Sequence, residues 1–205
     1  MLRHALAALA ISLALPLKAV AGLLPAYFDV AGVPAGEVLD LRAAPDTGAA
    51  VLGHLPANRR NVEIVALSEN GKWGLMAYAD GSAWVAMKFL KRAERQADET
   101  LPEKLGCFGN EPFWALRLNG DSGVFDELEG QAVPMTRQWS GPPQGGAPQS
   151  FGLVLKGADG AALHGVISRG LCSDGMSERP FGYSIRAILS GSLGARMLAG
   201  CCTLP

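Results

Sequence analysis

The chain has 205 residues, of which 18 are basic and 19 acidic, and its formal net charge is −1 at pH 7. The lysines and arginines form no cluster or stripe, which argues against a nucleic-acid partner because phosphate contacts need clustered basic side chains. The three histidines are scattered, and no H-E-x-x-H or G-x-S-x-G pattern occurs. The usual zinc and serine hydrolase sites are therefore not supported, and we expect neither a metal nor a cofactor.

Residues 1–21 have the three parts of a secretory signal peptide. Arg3 and His4 form a short positive start, residues 5–17 are apolar apart from a serine and a proline, and residues 19–21 supply the small side chains of a cleavage site. The apolar run is about 13 residues long, whereas a membrane-spanning helix needs roughly 20. We therefore predict export to the periplasm or the extracellular space, with no stable membrane insertion after cleavage.

Residues 27–90 are predicted to form a first compact unit of five or six short strands. The alternation of apolar and polar residues at 37–42 and 62–67 is typical of half-buried strands. An Asn-Gly pair at 70–71 and an Asp-Gly pair at 80–81 are strong signals for tight hairpin turns. Short strands joined by closely spaced turns predict a small barrel.

Four segments of this unit carry a family resemblance: 38–45 (VLDLRAAP), 51–56 (VLGHLP), 72–74 (KWG) and 81–85 (GSAWV). Together they resemble the bacterial SH3-like family of exported proteins, and the match covers about 60 residues. Asp40 stands where this family usually has asparagine. An aspartate keeps the acceptor that supports the turn but lacks the amide donor.

The resemblance implies a binding role, because members of this family commonly serve as accessories of cell-wall proteins. They recognise peptides, peptidoglycan stems or partner domains through a shallow groove of aromatic rings. The implied ligand here is peptidoglycan or an envelope protein, and the candidate groove residues are Tyr27, Trp73, Tyr78 and Trp84. The alternative is that these rings form the barrel core. The apolar strand around Trp84 favours the core there, whereas Trp73 and Tyr78, beside turns and polar residues, suit either role.

Residues 91–106 differ from what precedes them, since they are rich in both charges and poor in apolar side chains. We predict a solvated linker, partly helical before Pro102, that marks the domain boundary. Residues 107–205 contain about six further strand-like segments separated by turn signals, which predicts a second all-β domain. Its fold is expected to be a small antiparallel barrel or sandwich.

The four cysteines, Cys107, Cys172, Cys201 and Cys202, all lie in this second domain. An even number of cysteines in an exported chain predicts two disulfides. A bond between the neighbours Cys201 and Cys202 is disfavoured by disulfide geometry. Both remaining pairings stay open, and in each of them the adjacent cysteines reach back to Cys107 and Cys172.

The second domain also carries segments that resemble a group of uncharacterised bacterial envelope proteins with CxGxEPFW and CxDGMS patterns. These segments are 106–114 (GCFGNEPFW), 172–177 (CSDGMS) and 200–202 (GCC). The resemblance implies no activity.

If the disulfides draw these turns together, two carboxylates, Glu111 and Asp174, share a site with Trp114 and Ser177. Paired carboxylates bind cations or act in acid–base chemistry. The alternative, which we favour, is that Glu111, Asp174 and Ser177 bond to backbone amides and fix the turns.

The sequence therefore favours an exported, non-catalytic binding protein of the bacterial cell envelope. One alternative is a cell-wall-processing enzyme that uses Glu111 and Asp174, or a thiol peptidase that uses Cys107 with His164. The peptidase is disfavoured because Cys107 lacks the helix start that lowers a thiol pKa, and because four cysteines pair without remainder. The other alternative is an inhibitor or stress-response accessory of an envelope enzyme.

The signal-peptide prediction has a direct test in the mass of the secreted protein. We expect cleavage before Gly22, because the small side chains of Ala19 and Ala21 occupy the positions that signal peptidase requires. Intact mass spectrometry of protein recovered from the periplasm or medium would then give a chain beginning at Gly22. Recovery of a chain that still carries Met1 would contradict the prediction.

Overall fold

The computed structural model describes residues 23–94 and 97–205, and the predicted signal peptide lies outside these described residues. The described chain is all-β, as the sequence predicted, with sixteen strands and three single-turn 3-10 helices. No helix among the described residues is long and apolar enough to cross a membrane. The strands divide between a small N-terminal unit and a larger C-terminal barrel.

The N-terminal unit consists of two small antiparallel sheets around one core. One has three strands in the order β4-β1-β8, and the other has five in the order β3-β2-β7-β6-β5. The strands are β1 (Ala26–Val30), β2 (Val38–Arg42), β3 (Val51–Pro56), β4 (Val62–Ile64), β5 (Ala66–Leu67), β6 (Trp73–Tyr78), β7 (Gly81–Ala86) and β8 (Leu90–Arg92). Alternate residues such as Leu39, Leu41, Ala83 and Val85 face the core, as the period-two pattern predicts.

The connection between the two units is shorter and more buried than the sequence suggested. Strand β8 extends into the charged segment, and the next strand begins at Lys104, so the connection runs from 93 to 103. Leu101 is buried in the core of the second unit, and Arg92 pairs with Asp98 at 2.5 Å. The described residues of the connection form no helix. The apolar contacts of Leu101 and the Arg92–Asp98 ion pair therefore hold the connection against the folded units, although its composition predicted a solvated linker.

The C-terminal unit is a closed barrel of eight antiparallel strands, which decides between the barrel and the sandwich. Each strand pairs with the next along the chain, and the last strand pairs with the first. The strands are β9 (Lys104–Asn110), β10 (Phe113–Asn119), β11 (Ser122–Glu127), β12 (Val133–Gly141), β13 (Ser150–Gly157), β14 (Ala162–Cys172), β15 (Phe181–Ser190) and β16 (Arg196–Thr203). Closure removes the unpaired sheet edges on which other chains add strands.

Side chains fill the barrel interior, as expected for eight strands. Its largest members are almost fully buried and include Tyr183, Phe125, Phe151, Leu116, Leu153, Leu155, Leu163, Ile167 and Ile185. They pack in a single cluster. The surfaces open to a ligand therefore lie on the outside of this barrel and at its contact with the first unit.

The structure selects one of the two disulfide pairings that the sequence left open: Cys107–Cys202 and Cys172–Cys201. Adjacent residues of a strand point to opposite faces. Cys202 therefore points into the barrel, where it bonds Cys107 on the paired strand β9 across a Cα separation of 4.0 Å. Cys201 bonds Cys172, at the end of β14, across 5.6 Å. Each disulfide is expected to stabilise the fold by about 2–4 kcal/mol.

The packing of Trp114 explains why glycine stands at positions 109 and 200, close to the cysteines of β9 and β16. Its indole is 4% exposed, stacks on Phe125 with ring centroids 6.2 Å apart, and lies against β9 and β16 at Gly109 and Gly200. A Cβ atom at Gly109 would overlap the indole nitrogen, and one at Gly200 would overlap both the carbonyl of Phe108 and the indole. A larger residue at Gly109 would have to displace the indole, and one at Gly200 would have to displace the Phe108 carbonyl and the indole.

The two units are joined where the first covers one end of the barrel. The guanidinium of Arg169, at the end of β14, donates to the carbonyls of Pro25 at 3.2 Å and Asp98 at 3.2 Å. It also lies over the rings of Phe151 and Tyr183, 5.4 and 5.6 Å from their centroids. Tyr27 of β1 packs against the barrel core, and its hydroxyl donates to the carbonyl of Pro205. Polar and apolar contacts thus cross the interface together.

The packing of Trp114 predicts a difference between three glycines near the same wall. Gly109→Ala and Gly200→Ala are each expected to lower the free energy of unfolding by about 1–3 kcal/mol, because the added methyl group forces the indole or the backbone to move. Gly106→Ala is the matched control, since a Cβ at that position on β9 meets no atom within 4 Å. Urea unfolding of the three variants measures the difference, and equal losses in all three would contradict the account.

Candidate functional site

The four aromatic residues predicted for an SH3-like groove lie in three different settings. Tyr27 is half-buried against the barrel. Tyr78 lies on the core side of β6, packed against the core of the first unit. Trp73 and Trp84 share the outer face of the β6–β7 hairpin, because the cross-strand register pairs Trp73 with Ala86 and Leu75 with Trp84. Trp73 is 8% exposed and Trp84 is half-buried.

A concave feature that gathers several sequence-predicted residues lies on the outside of the barrel wall. It is a groove of about 480 Å³ between strands β9, β15 and β16 and the loop that follows β14. Its lining consists of Phe108, Gly109, Asn110, Glu111, Cys172, Ser173, Asp174, Gly175, Met176, Ser184, Arg186, Ala199, Gly200 and Cys201. We call this feature the wall groove.

The alternation of three neighbouring strands places these side chains in the wall groove. Ser184 and Arg186 are outward members of β15, whose residues Tyr183, Ile185 and Ala187 are buried in the core. Ala199 on β16 pairs with Arg186, and Cys201 pairs with Ser184. Barrel closure brings β9 beside β16, so one outer surface collects residues far apart in sequence.

Asp174 holds the loop that overhangs the wall groove. Its carboxylate accepts hydrogen bonds from the backbone N–H groups of Met176 at 3.0 Å and Ser177 at 2.9 Å, and from the Ser177 hydroxyl at 3.1 Å. The N–H of Met176, followed by that of Ser177, holds the pKa of Asp174 below its ordinary value of 3.8. The Asn110 side chain on β9 donates to the Asp174 carbonyl at 2.8 Å. This is the turn-fixing role that the sequence favoured for Asp174 and Ser177.

The predicted second-domain site is partly assembled. Glu111 and Asp174 both line the wall groove. Ser177 supports Asp174 but faces a shallower depression on the other side of the loop, which it shares with Leu75 of β6. Trp114 lies on the inner side of the barrel wall, beneath the groove-lining glycines Gly109 and Gly200. The loop therefore lies between the wall groove and the outer face of the β6–β7 hairpin.

Arg186 is the groove residue that the sequence did not single out. It stands in an ordinary alternating strand, where an exposed arginine has no local signal of function. Its presence in the same cavity as Glu111 and Asp174 depends on which strands become neighbours. The wall groove consequently carries two carboxylates and one guanidinium, together with the neutral polar side chains of Asn110 on β9 and Ser184 on β15.

The thiol peptidase considered from the sequence would need a free cysteine, and the part of the chain that the structure describes has none. Cys107 is bonded to Cys202 and 1% exposed, while His164 is exposed on β14. All four cysteines are paired. Within residues 23–94 and 97–205, no group of three or more histidine, cysteine, aspartate or glutamate side chains is arranged to hold a metal ion.

Comparison with known protein families, curated proteins and solved structures gave no match in any of the three. The class that the fold defines is an all-β protein in which a disulfide-bonded, eight-stranded barrel is joined to a small two-sheet unit.

The contacts of Asp174 predict a pH dependence of the groove loop. A carboxyl group whose pKa is lower in the folded state stabilises that state above its ordinary pKa, and the contribution is lost as the pH falls through the folded-state pKa. Amide hydrogen exchange at Met176 and Ser177 is therefore expected to accelerate, relative to other loop amides, only below about pH 4. Asp174→Ala is expected to abolish this local protection at neutral pH, whereas protection that persists would contradict the assignment.

Proposed function

We propose that this protein is an exported, non-catalytic binding protein of the bacterial cell envelope, whose recognition surface is the wall groove and whose ligand is peptidoglycan or an envelope protein. The observation that carries the proposal is the collection of Glu111, Asp174 and Arg186 around one cavity on the outside of a filled barrel. The SH3-like resemblance of residues 27–90 independently supports an envelope setting.

The chemistry of the wall groove favours a ligand that carries both signs of charge. Arg186 suits a carboxylate, which a guanidinium binds through two parallel hydrogen bonds. Glu111 suits an ammonium group, while Phe108 and Met176 offer apolar contact. A short peptide with a free amine and a free carboxylate has these properties. Peptidoglycan stem peptides and the termini of envelope proteins both belong to this class.

The cysteines support the exported location. Two disulfides are expected in an oxidising compartment and are rare in the cytosol. The predicted signal peptide at residues 1–21 agrees with this, and we propose that the mature protein acts in the periplasm or outside the cell.

The environment of Asp174 favours binding over acid–base catalysis. Its carboxylate is committed to the backbone of its own loop, and its lowered pKa keeps it ionised rather than available as a proton donor. The rigid barrel wall and the Cys172–Cys201 bond hold the rest of the groove in place. A preformed, rigid surface loses less entropy on binding.

The groove proposal predicts a loss of binding from two separate substitutions. Arg186→Ala and Glu111→Gln are each expected to weaken binding to soluble muropeptides by about 10- to 100-fold, because each removes a charge-assisted hydrogen bond. Isothermal titration calorimetry with muropeptides and co-sedimentation with purified cell wall measure the effect. Arg117→Ala is the matched control, because Arg117 is also an exposed arginine on a barrel strand but pairs with Asp126 away from the groove.

Further outcomes of the same assay separate the alternatives. Loss of wall binding in Trp84→Ala, with Arg186→Ala unaffected, would contradict the groove and place recognition on the first unit. Release of soluble fragments from the wall that stops in Glu111→Gln would contradict the non-catalytic assignment. Stoichiometric capture of one envelope protein, with no affinity for bare wall or muropeptides, would identify the envelope protein as the ligand.

A further inference from the structure

Glu63 links the two units through a carboxylate that the groove does not use. It lies on β4 of the first unit, and its side chain reaches the end of the last barrel strand. One carboxylate oxygen accepts a hydrogen bond from the Thr203 hydroxyl at 2.5 Å, and the other accepts one from the backbone N–H of Leu204 at 3.0 Å. Both oxygens are therefore engaged by the opposite unit.

The surroundings of Glu63 disfavour its charge. Tyr27 of β1 is its cross-strand partner, Thr203 at the end of β16 and Leu204 after it bond its carboxylate, and Arg179, in the segment before β15, is a charged group that acts on it. Burial raises the pKa of Glu63 from 4.5 to about 7, against the opposing effects of the Thr203 and Leu204 hydrogen bonds and of Arg179.

The Thr203 hydroxyl can form a hydrogen bond with Glu63 in both protonation states of the Glu63 carboxyl group. Thr203 Oγ1 donates to an ionised Glu63, and it also lies 3.4 Å from the carbonyl of Leu204. When Glu63 carries a proton, the Thr203 hydroxyl can accept that proton in a hydrogen bond and donate to the Leu204 carbonyl instead. The contact is thus preserved in both states, while the cost of burying the charge is present only in the ionised state.

We propose that Glu63 is a proton-sensing contact between the two units, which holds them together more tightly when it is protonated. A group with a raised folded-state pKa makes its full contribution below the ordinary pKa, and that contribution is lost as the pH rises through the folded-state value. The interface is therefore tightest below about pH 4.5, weakens up to about pH 7 and is constant above it. The full change in the docking equilibrium is on the order of a hundredfold.

The first test compares the mature protein with Glu63→Gln. The glutamine side chain has nearly the same shape, can accept from the Leu204 N–H and donate to the Thr203 hydroxyl, and does not titrate. Thermal unfolding from pH 5 to pH 8 should show the variant gaining stability relative to the wild type as the pH rises. Glu37→Gln, which removes an exposed carboxylate before β2, is the control and should remain parallel to the wild type. Parallel curves for Glu63→Gln would overturn the proposal.

Two measurements tie the effect to this contact. A carbon-13 NMR titration of the wild-type protein should place the midpoint of the Glu63 carboxyl near pH 7, and a midpoint near 4.5 would overturn the proposal even if the variant failed to fold. The protection factor of the Leu204 amide, relative to that in Glu63→Gln, should decrease from pH 5 to pH 8. An unchanged ratio would place the pH dependence elsewhere and overturn the interface assignment. Neither readout involves a ligand, so failure here is distinguishable from failure of the proposed binding function.

Discussion

The pairing of β16 with β9 is the constraint on which the rest of this structure depends. It closes the barrel and aligns Cys202 with Cys107 inside the wall. It also places Gly200 beside Gly109, so that the indole of Trp114 can lie across both strands. On the outer surface the same pairing brings Asn110 of β9 beside β16, which carries Ala199, and Arg186 lies on β15 at the far side of β16. Closure of the barrel thus forms the wall groove on the outside and the packing site of the Trp114 indole on the inside.

The segment between β14 and β15 connects the features that carry function. The Cys172–Cys201 bond ties its start to the barrel wall, and Asp174 fixes its turn over the wall groove. The backbone N–H of Arg179 donates to the Ser177 hydroxyl at 3.4 Å, and that hydroxyl bonds Asp174. The field of Arg179 reaches Glu63 on the first unit. A single short segment therefore contacts the groove, the barrel and the domain interface, and its position depends on all three.

Local sequence patterns predicted much of the fold and part of the candidate site. Period-two alternation and the Asp-Gly pair at 80–81 correctly predicted strands and the β6–β7 hairpin, although its two turn residues are Ala79 and Asp80, and Gly81 begins β7. The charged segment was expected to be a solvated linker, whereas in the structure Leu101 enters the barrel core and Asp98 pairs with Arg92. Composition records the charges of a segment but not the partners that tertiary contacts supply. The sequence did not indicate Arg186 either, because its strand has the pattern of any half-exposed strand and its neighbours in the groove come from tertiary contacts.

The sequence by itself determined the all-β class and the presence of two disulfides, and it singled out Glu111 and Asp174, which line the wall groove. These follow from residue types and spacings within short windows, where the pattern and the physical cause coincide. Only the tertiary structure decided between barrel and sandwich, between the two cysteine pairings, and between surface and interior for Trp114. It alone brought Glu63 to Thr203 and Arg186 to the groove. Those outcomes depend on which strands become neighbours, and strand pairing joins residues too far apart in sequence for any local pattern to record.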